Sequence, residues 1–120
     1  MERKTIILEP ITPSLIAEVR DKIIECFEPD QIILFGSTVR GDVEEPHDID
    51  LYVIKDGLQE VREVERRIDE LFAGRLFALD VLVRTPQQVK ASLKEGNSFL
   101  LHQILEKGRI LYDKKQSQLS

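Results

Sequence analysis

The sequence predicts an α/β fold, a small mixed β-sheet flanked by helices, and three observations carry that prediction. Apolar runs of strand length alternate with longer segments whose apolar residues recur at helical spacing. Thr-Pro pairs stand in front of two of the helical segments, at Thr12-Pro13 and Thr85-Pro86. There threonine caps the helix and proline suits its first position. Length is the third: 120 residues suffice for one core without room for a second module. We expect a single domain over residues 1–113 and a polar, frayed tail over 114–120.

The elements follow in order. A helix runs from Pro13 to about Phe27, with Leu15, Ile16, Val19, Ile23, Ile24 and Phe27 on its apolar side. Gln31 to Phe35 is a short buried strand ending at a Gly-Ser turn, and Ile49 to Ile54 is the second strand. Leu58 to Phe72 is an amphipathic helix with Val61, Val64, Ile68 and Leu71 inward and Gly74 as its C-terminal cap. Its Glu63/Arg67 and Arg66/Glu70 pairs have the i,i+4 spacing of solvated helix faces. Leu76 to Val83 is a third strand, Thr85-Pro86 opens another helix, and Asn97-Ser98 caps a last one through Leu105. Gly108 to Tyr112 adds a short edge strand.

Composition narrows the function classes. The chain is 42% hydrophobic and 32% charged, ordinary for a soluble globular protein. A formal charge of -5 argues against a broad electrostatic grip on DNA or RNA. Lys90, Lys94, Lys107 and Arg109 are not interleaved with aromatic residues as a nucleic-acid surface would be. No apolar run approaches the ~20 residues of a membrane span, and Met1-Glu2-Arg3-Lys4 does not lead into a signal-peptide core. Cys26 is the sole cysteine and reads as a core thiol in a cytoplasmic protein.

Two motifs carry chemistry. Gly36-Ser37 follows the first strand and offers backbone N–H groups and a hydroxyl to an anion with little steric bulk. If Thr38 to Arg40 form a helical turn, its N-terminus adds a favourable field for phosphate. Arg40 has the charge and fork geometry to contact a phosphate, or pairs at the surface with Asp42 or Glu44. Asp48 and Asp50, separated by Ile49, project from the same side of a strand. Asp80 interrupts the apolar run of the third strand. Carboxylates about 4 Å apart repel by ~4 kcal/mol at an effective dielectric near 20, and a bound cation relieves that repulsion. His47 reads as a loop residue and His102 as packed or half exposed.

Gly36-Ser37, ten intervening residues, and Asp48-Ile49-Asp50 resemble the signature of the nucleotidyltransferase superfamily that includes DNA polymerase beta. The short length and Arg40-Gly41 resemble its minimal branch, the MntA-like antitoxins. The likeness spans Ile32 to Val83 and, more loosely, Glu106 to Tyr112. His47 departs from it, standing directly before Asp48 where the family often has serine.

The resemblance implies a nucleotidyltransferase-type fold, ATP as substrate and two Mg²⁺ ions as cofactor. It assigns Asp48 and Asp50 to metal and triphosphate, and Asp80 to the metal nearest the acceptor hydroxyl. Gly36, Ser37 and Arg40 become nucleotide-binding residues. It further implies a partner, a HEPN-domain RNase toxin, with AMP transferred to one of its tyrosines. This is the role of antitoxin in a type VII-like toxin–antitoxin pair, without direct contact to nucleic acid or membrane. Two alternatives stay open: a non-catalytic module that neutralises its partner by occlusion, and a nucleotidyltransferase acting on a small molecule.

Overall fold

The computed structural model describes residues 8–41 and 46–118. Their order is α1 (Pro13–Phe27), β1 (Gln31–Phe35), α2 (Ser37–Arg40), β2 (Asp48–Ile54), α3 (Val61–Leu71) and β3 (Ala78–Arg84). Next come α4 (Pro86–Lys94), a π-helix (Phe99–Glu106), β4 (Arg109–Asp113) and α5 (Lys114–Gln118). The sheet is mixed, in the order β3-β2-β1-β4. β1 pairs antiparallel with β2 and with β4, while β2 and β3 run parallel through the α3 crossover.

Side-chain alternation along the strands separates two cores. Ile32 and Leu34 of β1, Ile49, Leu51 and Val53 of β2, and Leu79 and Val83 of β3 are buried against α1 and α3. Ile23 of α1 and Ile68 of α3 are fully buried in that layer, each burial contributing about 1.5–3 kcal/mol. The opposite set, Ile33, Phe35, Tyr52 and Ile54, packs on Leu100 and Ile104 of the π-helix, with Val89 of α4 beside them. Asp48 and Asp50 have the parity of Tyr52 and Ile54, so they belong to the face that the π-helix covers.

Both Thr-Pro helix starts form as expected. Thr12 Oγ1 accepts from the Leu15 amide at 3.1 Å, and Thr85 makes a reciprocal capping box with Gln88. Asn97 Oδ1 accepts from the Leu100 amide at 3.0 Å and opens the helix through Glu106, which winds with π geometry. Gly108 closes it where a Cβ would overlap the Ile104 carbonyl and lie 2.7 Å from Ile33 Cγ2. The edge strand expected at Gly108–Tyr112 is β4. Arg66 pairs with Glu70 and also with Glu63, and Arg67 stands 3.8 Å from Glu63.

Five expectations are corrected. The second long helix begins at Val61 rather than Leu58, because Asp56-Gly57 turns the chain first, with Asp30 accepting from the Asp56 amide. It ends in a tightened turn capped by Phe72, two residues before Gly74, so Phe72 is buried and Leu71 faces outward. The third strand starts at Ala78, leaving Leu76 half exposed. Cys26 is exposed, since Ile24 and Phe27 occupy the packed flank of α1. The tail is not frayed over 114–118: Asp113 Oδ1 accepts from the Lys115 amide and starts α5.

Candidate active site

The site is built where β1 ends and β2 begins. Gly36 follows Phe35 with φ 85° and ψ -158°, a backbone region that is essentially restricted to glycine. A Cβ there would overlap Asp50 Oδ2 and lie 3.1 Å from Asp50 Cγ. The absence of a side chain at Gly36 therefore lets the Asp50 carboxyl stand against the turn. The chain then enters α2, with the Val39 and Arg40 amides donating to the Gly36 carbonyl at 3.1 and 3.0 Å. Thr38 Oγ1 donates to the Asp48 carbonyl at 2.6 Å, clamping the turn onto the start of β2.

Sheet register aligns the carboxylates. Asp50 lies opposite Phe35 on β1 and opposite Asp80 on β3, so the three form one row across the sheet. Asp50 is partly buried, whereas Asp48 and Asp80 are exposed. Asp80 is open to solvent although it interrupts an apolar run, because its strand is the sheet's edge. Burial, reinforced by the charges of Asp80 and Asp48 and by a hydrogen bond with Asp80, raises the Asp50 pKa to about 6. Arg40 acts in the opposite sense, stabilising the Asp50 carboxylate. The ion pairs considered for Arg40 with Asp42 or Glu44 lie outside the described residues.

An open groove of about 530 Å³ runs along this row, lined by Phe35, Gly36, Ser37, Arg40, Asp48, Asp50, Phe99 and Gln103. Five of the six sequence-predicted site residues line it, and Asp80 adjoins through Asp50. Among the described residues, no three Asp, Glu, His or Cys side chains already converge as a metal cage. The donor set nevertheless suits a hard cation. A desolvated carboxyl repelled by two others is stabilised by a hard divalent cation, which prefers oxygen ligands. A larger cleft, about 670 Å³, lies between α4 and α5 and contains none of these residues. The chemistry therefore points to the smaller groove.

Three groove or turn residues escaped the sequence reading. In the sequence Thr38 is only part of a helical turn, and its carbonyl contact depends on how β2 returns beside β1. Phe99 and Gln103 arrive from the π-helix, distant in sequence, and their spacing of four was the only available signal. His47 turns elsewhere: its Nδ1 lies 3.5 Å from the Glu9 carbonyl. His102 is half exposed, with Glu106 at 3.0 Å.

Comparison with known proteins agrees with this architecture. A protein from Sulfolobus solfataricus, crystallised as a candidate nucleotidyltransferase, superimposes with a TM-score of 0.58 at 16% identity. The match covers 86% of this chain and 81% of that one. A chain of the toxin–antitoxin MntA–HpeT, crystallised as a mutant, gives a TM-score of 0.55 at 17% identity, over 91% of this chain and 78% of its own. Such identities establish a shared fold. No curated protein matches the chain significantly. The profile of the family "Polymerase beta, Nucleotidyltransferase" matches residues 18–117, and the chain belongs to that family. Among the described residues no helix is long and apolar enough to cross a membrane.

Proposed function

We propose that this protein transfers AMP from ATP to a tyrosine hydroxyl of a HEPN-domain RNase toxin in a Mg²⁺-dependent reaction, and so acts as its antitoxin. The observation that carries the transfer is the side-by-side placement of Asp50 and Asp80 on parallel strands, against the Gly36-Ser37 turn. The partner rests on the likeness to the MntA–HpeT assembly. It is also supported by Leu101, Leu105 and Ile110, large apolar side chains left exposed on the π-helix and β4.

Asp48 and Asp50, with Asp80, would hold Mg²⁺, which when bound neutralises charge at the phosphates. Ser37 and the amides of the turn receive the triphosphate, and Arg40 balances the charge that develops on the leaving pyrophosphate. The acceptor oxygen bonds to the α-phosphorus as the bond to the oxygen bridging the β-phosphate breaks. Pyrophosphate departs with that electron pair, and the acceptor proton passes to the Asp80 carboxylate, the most open of the row's two acids.

The test is incubation with α-labelled ATP, Mg²⁺ and the HEPN-domain partner, beside an Asp48→Asn/Asp50→Asn control. Label that appears on the partner and vanishes in the control supports the reading. A stable, inhibited complex without label refutes transfer and leaves occlusion as the mechanism.

A further inference from the structure

The π-helix divides its residues into stripes four apart. Leu100 and Ile104 are buried in the core and fix the helix on the sheet. Phe99 and Gln103 form the adjacent stripe and line the carboxylate groove. Phe99 remains 44% exposed, although its ring is held edge-on to Phe35 with centroids 5.7 Å apart at 85°. Phe35 is itself in the row beside Asp50, so the Phe99 ring keeps a set position relative to the carboxylates. Gln103 is partly buried, and among the described residues its amide has no hydrogen-bond partner. An amide offers both a donor and an acceptor in one plane. π-helical turns are uncommon and concentrate at functional sites.

We propose that Phe99 and Gln103 form the base-recognition wall of the nucleotide site, the ring stacking on the base and the amide reading its edge. This rests on the nucleotidyltransferase reading above and extends it to the specificity-determining residues. A nucleobase presents an apolar face and a hydrogen-bonding edge, the two chemistries that this stripe displays. Aromatic stacking tolerates any base, so Phe99 supplies affinity. The preference among bases comes from Gln103, whose buried side loses a partner when the wrong edge faces it. The volume of about 530 Å³ lies in the range of sites that hold ligands of nucleotide size.

The experiment separates base from phosphate. The chain contains no tryptophan, so Phe99→Trp introduces a lone indole reporter. With Mg²⁺ present, ATP should quench it, whereas inorganic tripolyphosphate should bind without quenching. By calorimetry, Phe99→Ala should weaken ATP about tenfold, within the range for loss of one stacked base. Its tripolyphosphate affinity should stay within about twofold, Phe99→Tyr should restore ATP binding, and Gln103→Ala should narrow the spread of affinities among ATP, GTP, CTP and UTP. Equal loss of ATP and tripolyphosphate in Phe99→Ala would overturn the proposal in favour of a structural role. Unchanged ATP affinity with a raised KM for the protein acceptor would overturn it in favour of acceptor contact. If the wild type binds tripolyphosphate but neither Phe99→Ala nor Gln103→Ala changes nucleotide binding, only the base wall fails. If it binds neither ligand, the nucleotidyltransferase reading fails and takes this proposal with it.

Discussion

Replacing Gly36 with alanine tests the geometry on which the whole site depends. Two costs add in Gly36→Ala. The backbone at φ 85°, ψ -158° is open to glycine and costs another residue about 1–3 kcal/mol. The new methyl also overlaps Asp50 Oδ2 and lies 3.1 Å from Cγ and 3.3 Å from Cβ of that residue. Swinging the carboxylate aside costs about 0.5–1.5 kcal/mol for an off-rotamer side chain. The sum is about 2–4 kcal/mol, or a fall in Tm of about 10 °C for a domain of this size. Asp50→Ala removes Oδ2 and Cγ and leaves the backbone cost intact. A double-mutant cycle by urea unfolding in EDTA should therefore give a coupling of about 1 kcal/mol, with the pair less damaging than the sum. Strict additivity would refute the claim that the turn and the carboxylate share one space. A Gly36→Ala variant as stable as wild type would refute the backbone argument as well.

Two further outcomes follow from the same site. Asp50 binds its proton more tightly folded than unfolded, so the metal-free protein should lose stability as pH rises from about 4 through about 6, then level off. A full conversion of that shift is about 3 kcal/mol, and since the carboxyl is only half withdrawn from solvent we expect about 1 kcal/mol. Asp50→Asn should match wild type near pH 4 and exceed its stability at pH 8 by that amount while losing transfer; urea titrations in EDTA at both pH values check this, and a wild type that is more stable at pH 8 than at pH 4 relative to the variant contradicts it. Thr38→Val should cost about 1 kcal/mol by removing the hydroxyl bond to the Asp48 carbonyl. It should weaken Mg²⁺ binding by loosening the start of β2, and calorimetry with unchanged metal affinity would show that the clamp does not position Asp48.

What was legible from the sequence were the features that local chemistry decides. Thr12-Pro13 and Thr85-Pro86 begin helices because a threonine hydroxyl and a proline ring act within one turn of themselves. Asp48 and Asp50 share a face because alternation is a property of any strand, and Gly36-Ser37 turns because its glycine permits a conformation others resist. The tertiary structure decided what depends on segments distant in sequence. The parallel register of β2 and β3 places Asp80 opposite Asp50 rather than a residue away, and that neighbour together with burial lifts the Asp50 pKa. Packing against one tightened turn buries Phe72 and turns Leu71 out, and the flank chosen by Ile24 and Phe27 leaves Cys26 in solvent. Phe99 and Gln103 become part of the groove only because Leu100 and Ile104 anchor their helix on the sheet. Spacing along a chain sets the side from which a residue projects, but its neighbours are set by how the cores of separate elements close on one another.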